Sequence, residues 1–452
     1  MKSMNLPLRP SGALAVGLAA ALLLLVAGGA GAQARVDGIS GTSFSFTTGA
    51  GELSTPDGGS IYFWGYEDTT GAANPFMVPQ YPGPTLILNQ GDEITISLTS
   101  GLPAGHCSSV VFPGHAVTAT GGANTQAGLL TQESCGNAVD GSDTVTYTFT
   151  ASEAGTYTYY SGTESELQIE MGLVGAIIVR PYMGEDYAYN DAGTQFDHEY
   201  LFLMTQMDPI IHQYIEQGRY ADAYTKLSAN YWPVYWFFNG RAAPDDLADA
   251  FVSWLPHQPY NCTPRMTPGQ NLLMRLVGGD GGHHPFHYHG NNADIIARDG
   301  RMLAHSRSQF TTLSNPGETV DQIFRWTGEK LNWDIYGSTL DGMPAHNCID
   351  ADLDGYADAD SDYPMEWCAD HNKKFPVVLP ETQNLAFGGW WSGSPYMGNV
   401  AQLPPGEGGL NPYGGFFFMW HSHAEKELTN FDIFPGGMLS MMVVEPPGTP
   451  IP

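Results

Sequence analysis

The chain has 452 residues, 42% of them hydrophobic, enough to fill two or three domain cores. Its 47 acidic residues against 17 basic ones give a formal net charge of −30 at pH 7. A surface of that sign repels nucleic-acid phosphate, which excludes nucleic acid as an expected partner, and argues against docking on anionic lipid.

Residues 1–34 read as a signal peptide. Lys2 and Arg9 precede an apolar run from Ala13 to Ala27, and Ala32, Gln33 and Ala34 form a small-residue cleavage site. The run is shorter than a membrane span needs. The expected product starts at Arg35 and is secreted or periplasmic. In that setting five cysteines point to disulfides rather than thiolate metal ligands. The local pairings are Cys107 with Cys135 and Cys348 with Cys368, leaving Cys262 over; sequence alone does not fix the connectivity.

Residues 36–181 form a first β-rich unit. Polar and apolar residues alternate from Glu93 to Leu98 and again from Thr144 to Phe149, the period of strands with one face in a core and the other in water. Residues 182–230 read as a connector with a short helix: Asp208 and Pro209 make an N-cap and first-turn pair, Ile211, Tyr214 and Ile215 share one face, and Gly218 lies near the end. The β pattern resumes in a second unit, 231–450, interrupted by an insertion at 330–398 rich in Asp, Gly, Pro and Trp.

The second unit carries the chemistry. His287 and His289 form one H-x-H pair, His421 and His423 another, among only 14 histidines in the chain. Residues two apart on a strand project from the same face. If the two strands lie together, four imidazoles converge as a copper or zinc site requires. Ser422 and His284 have the opposite parity. In the insertion, Asp350, Asp352, Asp354 and Asp358, with Gly355, occupy positions of a calcium-binding loop, although Ser361 stands where such a loop ends on Glu. Calcium is the cofactor expected there.

Pro82-Gly83-Pro84-Thr85 with Asn89-Gln90-Gly91-Asp92, Gly155-Thr156-Tyr157, the run from Gly172 to Val179, Phe238-Asn239-Gly240-Arg241, the run from His284 to Gly290, Asn315-Pro316-Gly317-Glu318 and Gly437-Met438 together resemble the multicopper oxidase family. The resemblance implies an all-β chain of two tandem cupredoxin-like Greek-key β-sandwiches, and copper as cofactor. It also marks losses. Phe112-Pro113-Gly114-His115 and Tyr160-Ser161-Gly162 stand where the family places its first-domain copper histidines, and only His115 survives, one position off. Ser422 replaces the cysteine of the blue-copper site, and Glu427 stands where a further histidine is expected. His284 and Met438 are what remains of that site.

The sequence therefore points to an exported copper-binding protein of multicopper-oxidase type, with copper at His287, His289, His421 and His423 and with oxidoreductase activity in view. The rival is a non-catalytic envelope protein in which a metal holds strands together. A homo-oligomer is compatible with either, but identical chains cannot supply histidines that none of them contains.

Overall fold

The computed structural model describes residues 33–136, 140–290, 292–326, 336, 339, 345–364, 366–371, 416–445 and 449–451. Most of the stretch expected to be a signal peptide, and most of the insertion's second half, lie outside these residues. The expected all-β architecture is present. No helix among the described residues is long and apolar enough to cross a membrane.

In the first unit, a five-stranded sheet runs in the order Ser60–Asp68, Ser43–Ser54, Glu93–Ser100, Val145–Thr150, Thr118–Gly121. It faces a four-stranded sheet ordered Ile39–Ser40, Leu86–Asn89, Val174–Arg180, Gly155–Tyr160. The alternation read from sequence sets the core: Ile94, Ile96 and Leu98 point inward with Val145, Tyr147 and Phe149, against Leu86, Leu88, Ile177 and Val179. Cys107 and Cys135 are joined, as are Cys348 and Cys368, and Cys262 is free and buried.

The stretch read as connector holds more than a helix. His198–Met207 is a strand buried along nearly its whole length, so it lacks the alternation that would have marked it. It enters a six-stranded sheet ordered Tyr235–Phe238, His198–Met207, Asn271–Gly278, Thr319–Arg325, Ala293–Arg298, Arg301–Gln309. The expected helix spans Pro209–Glu216; the Asp208 side chain accepts from the Ile210 N–H, and Ile211 and Ile215 are buried. A second helix follows at Tyr220–Ala229.

Facing the six-stranded sheet is a five-stranded one ordered Arg265–Met266, Leu439–Val444, Phe416–Ser422, His284–Tyr288, Thr311–Ser314. Phe286, Tyr288, Phe418 and Trp420 fill the space between these layers with Phe202, Met274 and Phe324. This places the two H-x-H strands side by side. A buried polar network joins the two sandwiches. Arg180 of the first donates twice to Glu199 of the second, both at 2.6 Å; Arg275 donates to Glu199 at 2.6 Å and to Thr156 at 2.8 Å; Thr156 and Tyr189 both donate to Asp321 at 2.6 Å.

Candidate metal centre

Strand His284–Tyr288 pairs antiparallel with Phe416–Ser422, and His287 lies directly opposite His421. Because Phe286, Tyr288, Phe418 and Trp420 take the inward positions, His287, His289, His421 and His423 fall on the outer face. The aromatic layer beneath them is tightly packed, with Trp420 in ring contact with Phe286, Tyr288 and Phe324. Gly290 lets the chain turn away after His289. It sits at φ 105°, and a Cβ there would meet the Phe418 ring at 3.0 Å.

His287, His289 and His421 bring ligand nitrogens within 4.8 Å of one another, and the His423 ring lies beside them against His287 and His421. Centroids lie 4.7 Å apart for His287 and His289, 5.4 Å for His287 and His421, 5.0 Å for His287 and His423, and 5.2 Å for His289 and His421. His421 Nε2 is 3.3 Å from His289 Nε2. Two nitrogens bound at about 2.0–2.1 Å to one tetrahedral ion sit roughly 3.3 Å apart, so the spacing already suits shared coordination. Outer contacts orient the rings. His421 Nδ1 donates to the Ser422 carbonyl at 2.7 Å, which leaves its Nε2 with a lone pair. His287 Nδ1 is 2.8 Å from Thr311 Oγ1, and the exposed His423 has Nδ1 3.1 Å from Glu425 Oε1. His289 Nδ1 is buried without a partner. Burial, and then the neighbouring imidazoles, push His289 down to about 4; burial also lowers His287 and His421. His287, His289 and His421 are thus held in the neutral form, the one a metal ion takes. This is a fit to copper or zinc.

On the inner side of the same strands, the remnant ligand expected at His284 is otherwise engaged. Its Nδ1 is 3.0 Å from Glu427 Oε2, and its Nε2 is 3.2 and 3.3 Å from the two Asp280 oxygens. Neither nitrogen is left for a metal. Burial alone would lower His284, but Asp280 and Glu427 outweigh it and raise it to about 10. An imidazolium clamped between two carboxylates therefore stands where the resemblance led a remnant copper ligand to be expected. Met438 stays beside it in the core: its N–H donates to the Glu427 carbonyl at 2.8 Å, and its carbonyl accepts from the Ser422 N–H at 3.0 Å. Asp280 had no place in the sequence reading; its only signal was a lone carboxylate in a glycine turn four residues before His284.

This clamp has a measurable pH signature. A folded-state value raised above the ordinary 6.5 means stabilisation fully present below about pH 6.5 and lost as pH rises through about 10. Urea midpoints are expected to fall across that window by the equivalent of roughly 5 kcal/mol in the wild type. The slope should flatten in His284→Gln; equal slopes in both proteins would refute the clamp.

His115, carried as an outlying candidate, is not brought to the quartet. It packs in the first sandwich against Phe149 and Tyr157, with ring centroids at 4.7 and 4.5 Å. Val111 pairs with Tyr160, beside the two stretches where first-domain copper histidines were expected. In the insertion, Asp350, Asp352 and Asp354 lie together, while Asp358 accepts from the Ala351 N–H at 2.8 Å. Asp350 accepts from the Asp354 and Gly355 N–H groups, and Asp354 accepts from Tyr356. The loop's own backbone accounts for these carboxylates, and nothing beyond them points to calcium.

The multicopper oxidase family model matches residues 69–183. Laccase abr2 of Aspergillus fumigatus is 32% identical over 115 residues, and L-ascorbate oxidase of Cucumis sativus is 32% identical over 114 residues. Each match covers 25% of this chain, and the chain spans 18% of the length of each relative. Among solved structures, the multicopper oxidase mgLAC superposes with a TM-score of 0.53 at 16% identity, covering 91% of this chain and 87% of the other. A blue copper oxidase from Nitrosomonas europaea does so with a TM-score of 0.53 at 15% identity, covering 88% and 85%. At such identities the likeness establishes the fold. The sequence match falls on the first sandwich, whereas the histidine quartet lies in the second.

Proposed function

We propose, for a chain that belongs to the multicopper oxidase family, a reduced form of that family's equipment: one copper ion held by His287, His289, His421 and His423. The observation that carries this is the convergence of the His287, His289 and His421 nitrogens with the His423 ring beside them, Nδ1 of His421, His287 and His423 being next to Ser422, Thr311 and Glu425. Copper there would supply one-electron redox chemistry. The protein's part is to hold the imidazoles over a rigid aromatic layer and to leave the His423 side open to solvent. The relay through a thiolate copper has no residues to run on, since Ser422 offers a weak neutral oxygen and His284 is taken by carboxylates. Multi-electron reduction of oxygen is accordingly not part of the proposal. Export to an oxidising compartment is proposed with it, supported by the two disulfides.

The test is the spectrum of copper-loaded protein. Electron paramagnetic resonance should report copper in a nitrogen-rich shell, and the visible spectrum should lack an intense thiolate-to-copper band. Ser422→Cys alone should not create that band, because the Asp280–His284–Glu427 clamp still fills the position. An intense blue colour in the wild type would overturn the assignment.

A further inference from the structure

The insertion brings together three groups to which the sequence reading gave no role: His346, Glu366 and His371. The Cys348–Cys368 disulfide explains how. It ties together the two stretches that carry these residues, two positions after His346 and two after Glu366, with His371 in the turn beyond. Backbone pairing of Ala357 with Glu366, Cys368 with Gly355 and Asp362 with Asn347 holds them in register.

The geometry inside the cluster is unbalanced. His346 Nε2 is 2.9 Å and His371 Nδ1 is 2.7 Å from the same oxygen, Glu366 Oε1. The second oxygen, Oε2, is buried with no hydrogen-bond partner among the described residues, and the Glu366 side chain is 0% exposed. Two donors crowded on one oxygen while the other is orphaned is a poor arrangement for a hydrogen-bonded carboxylate, because an unmet buried acceptor costs about 1–3 kcal/mol. It is a good arrangement for a cation set among the three groups, which would take one nitrogen lone pair from each ring and engage the carboxylate. The nitrogen-to-oxygen distances are within roughly half an ångström of the separation between ligands of a tetrahedral ion.

We propose that His346, Glu366 and His371 form a second metal site, independent of the quartet, which binds zinc. Two imidazoles and one carboxylate suit a borderline first-row ion and not calcium or magnesium, which take oxygen ligands. The side chains are 7%, 0% and 12% exposed, so the ion is shielded, as in a structural site. Its role is to lock the disulfide-tied loop.

The experiment uses full-length protein carrying His421→Ala and His423→Ala, so that the quartet contributes nothing. Made metal-free and dialysed against zinc, it should retain one zinc per chain. Adding Glu366→Gln and His371→Ala should weaken that zinc by about 100-fold or more. Zinc-edge X-ray absorption on the first protein should show imidazole and oxygen ligands and no sulfur. It decides the matter even if the fourfold variant misfolds. Absence of retained zinc, undiminished zinc in the folded fourfold variant, or a shell without imidazole would each overturn the site, whatever the fate of copper at the quartet.

Discussion

Replacing His421 and His423 together by Ala is expected to lower the copper content of dialysed protein by one equivalent per chain and the affinity at the quartet by more than about 100-fold. Outer-shell partners of metal-binding histidines are worth ten- to a hundredfold on their own, so loss of two ligands must exceed that. The double change removes the ring opposite His287 and the ring that contacts it from the open side, leaving only His287 and His289. Two imidazoles cannot satisfy an ion that prefers four ligands. A graded control is available. Thr311→Val removes the hydroxyl 2.8 Å from His287 Nδ1 and should cost about tenfold while keeping the stoichiometry. Atomic absorption after dialysis, with a competing chelator for affinity, reads both. Full copper retention in the double variant would place the site elsewhere; a loss of three equivalents would mean that ligands outside the quartet belong to the same cluster.

Arg275→Ala is expected to destabilise the protein by about 3–5 kcal/mol, the effect of stranding buried charges. Arg275 is fully buried and touches both Glu199 and Thr156, with Asp321 3.5 Å from its guanidinium. Burial would raise the Glu199 carboxyl, but Arg275 and then Arg180 outweigh it and bring it down to about 2. Without Arg275, Glu199 keeps Arg180 alone, and Asp321 keeps only the hydroxyls of Thr156 and Tyr189. Because the network spans the two sandwiches, the loss should appear as a lower urea midpoint for the whole protein. The sign in pH follows from the depressed carboxyl: its stabilisation is present above about pH 4.5 and is lost as pH falls through about 2. Arg275→Ala should therefore be flatter than the wild type in acid. Copper at the quartet, built on other strands, should be retained. A change below about 1 kcal/mol would show that the network is not load-sharing in the way these contacts imply.

Much of the molecule was legible in the order of residues. Alternation over Glu93 to Leu98 and Thr144 to Phe149 gave strands because a half-buried strand repeats every two residues. The same period places His421 and His423 on one face of the strand and Ser422 on the other. The Asp208–Pro209 start of a helix is also local chemistry, as is the pairing of nearby cysteines. The strand His198–Met207 escaped because burial on both faces erases the two-residue period. The helix Tyr220–Ala229 escaped because among its residues only Ala223 is fully buried, so it carries little apolar periodicity to read.

What the chain order could not decide is which distant groups meet. His289 and His421 are 132 residues apart, and His284 and Glu427 are 143 apart. Parity says that two side chains share a face, but not that their strands are neighbours in the sheet; hydrogen bonding between the strands settled that for the quartet. For His284, the sequence offered a remnant copper ligand, and the fold brought Asp280 to one nitrogen and Glu427 to the other. That converts the residue from a candidate ligand into a buried cation. Glu366 makes the same point in the insertion. Its chemistry depends on a disulfide that holds two short stretches together, and the packing leaves one carboxylate oxygen unpaired. Residue types and local period are written along the chain; the electrostatic environment that sets what each group does exists only once the layers are packed.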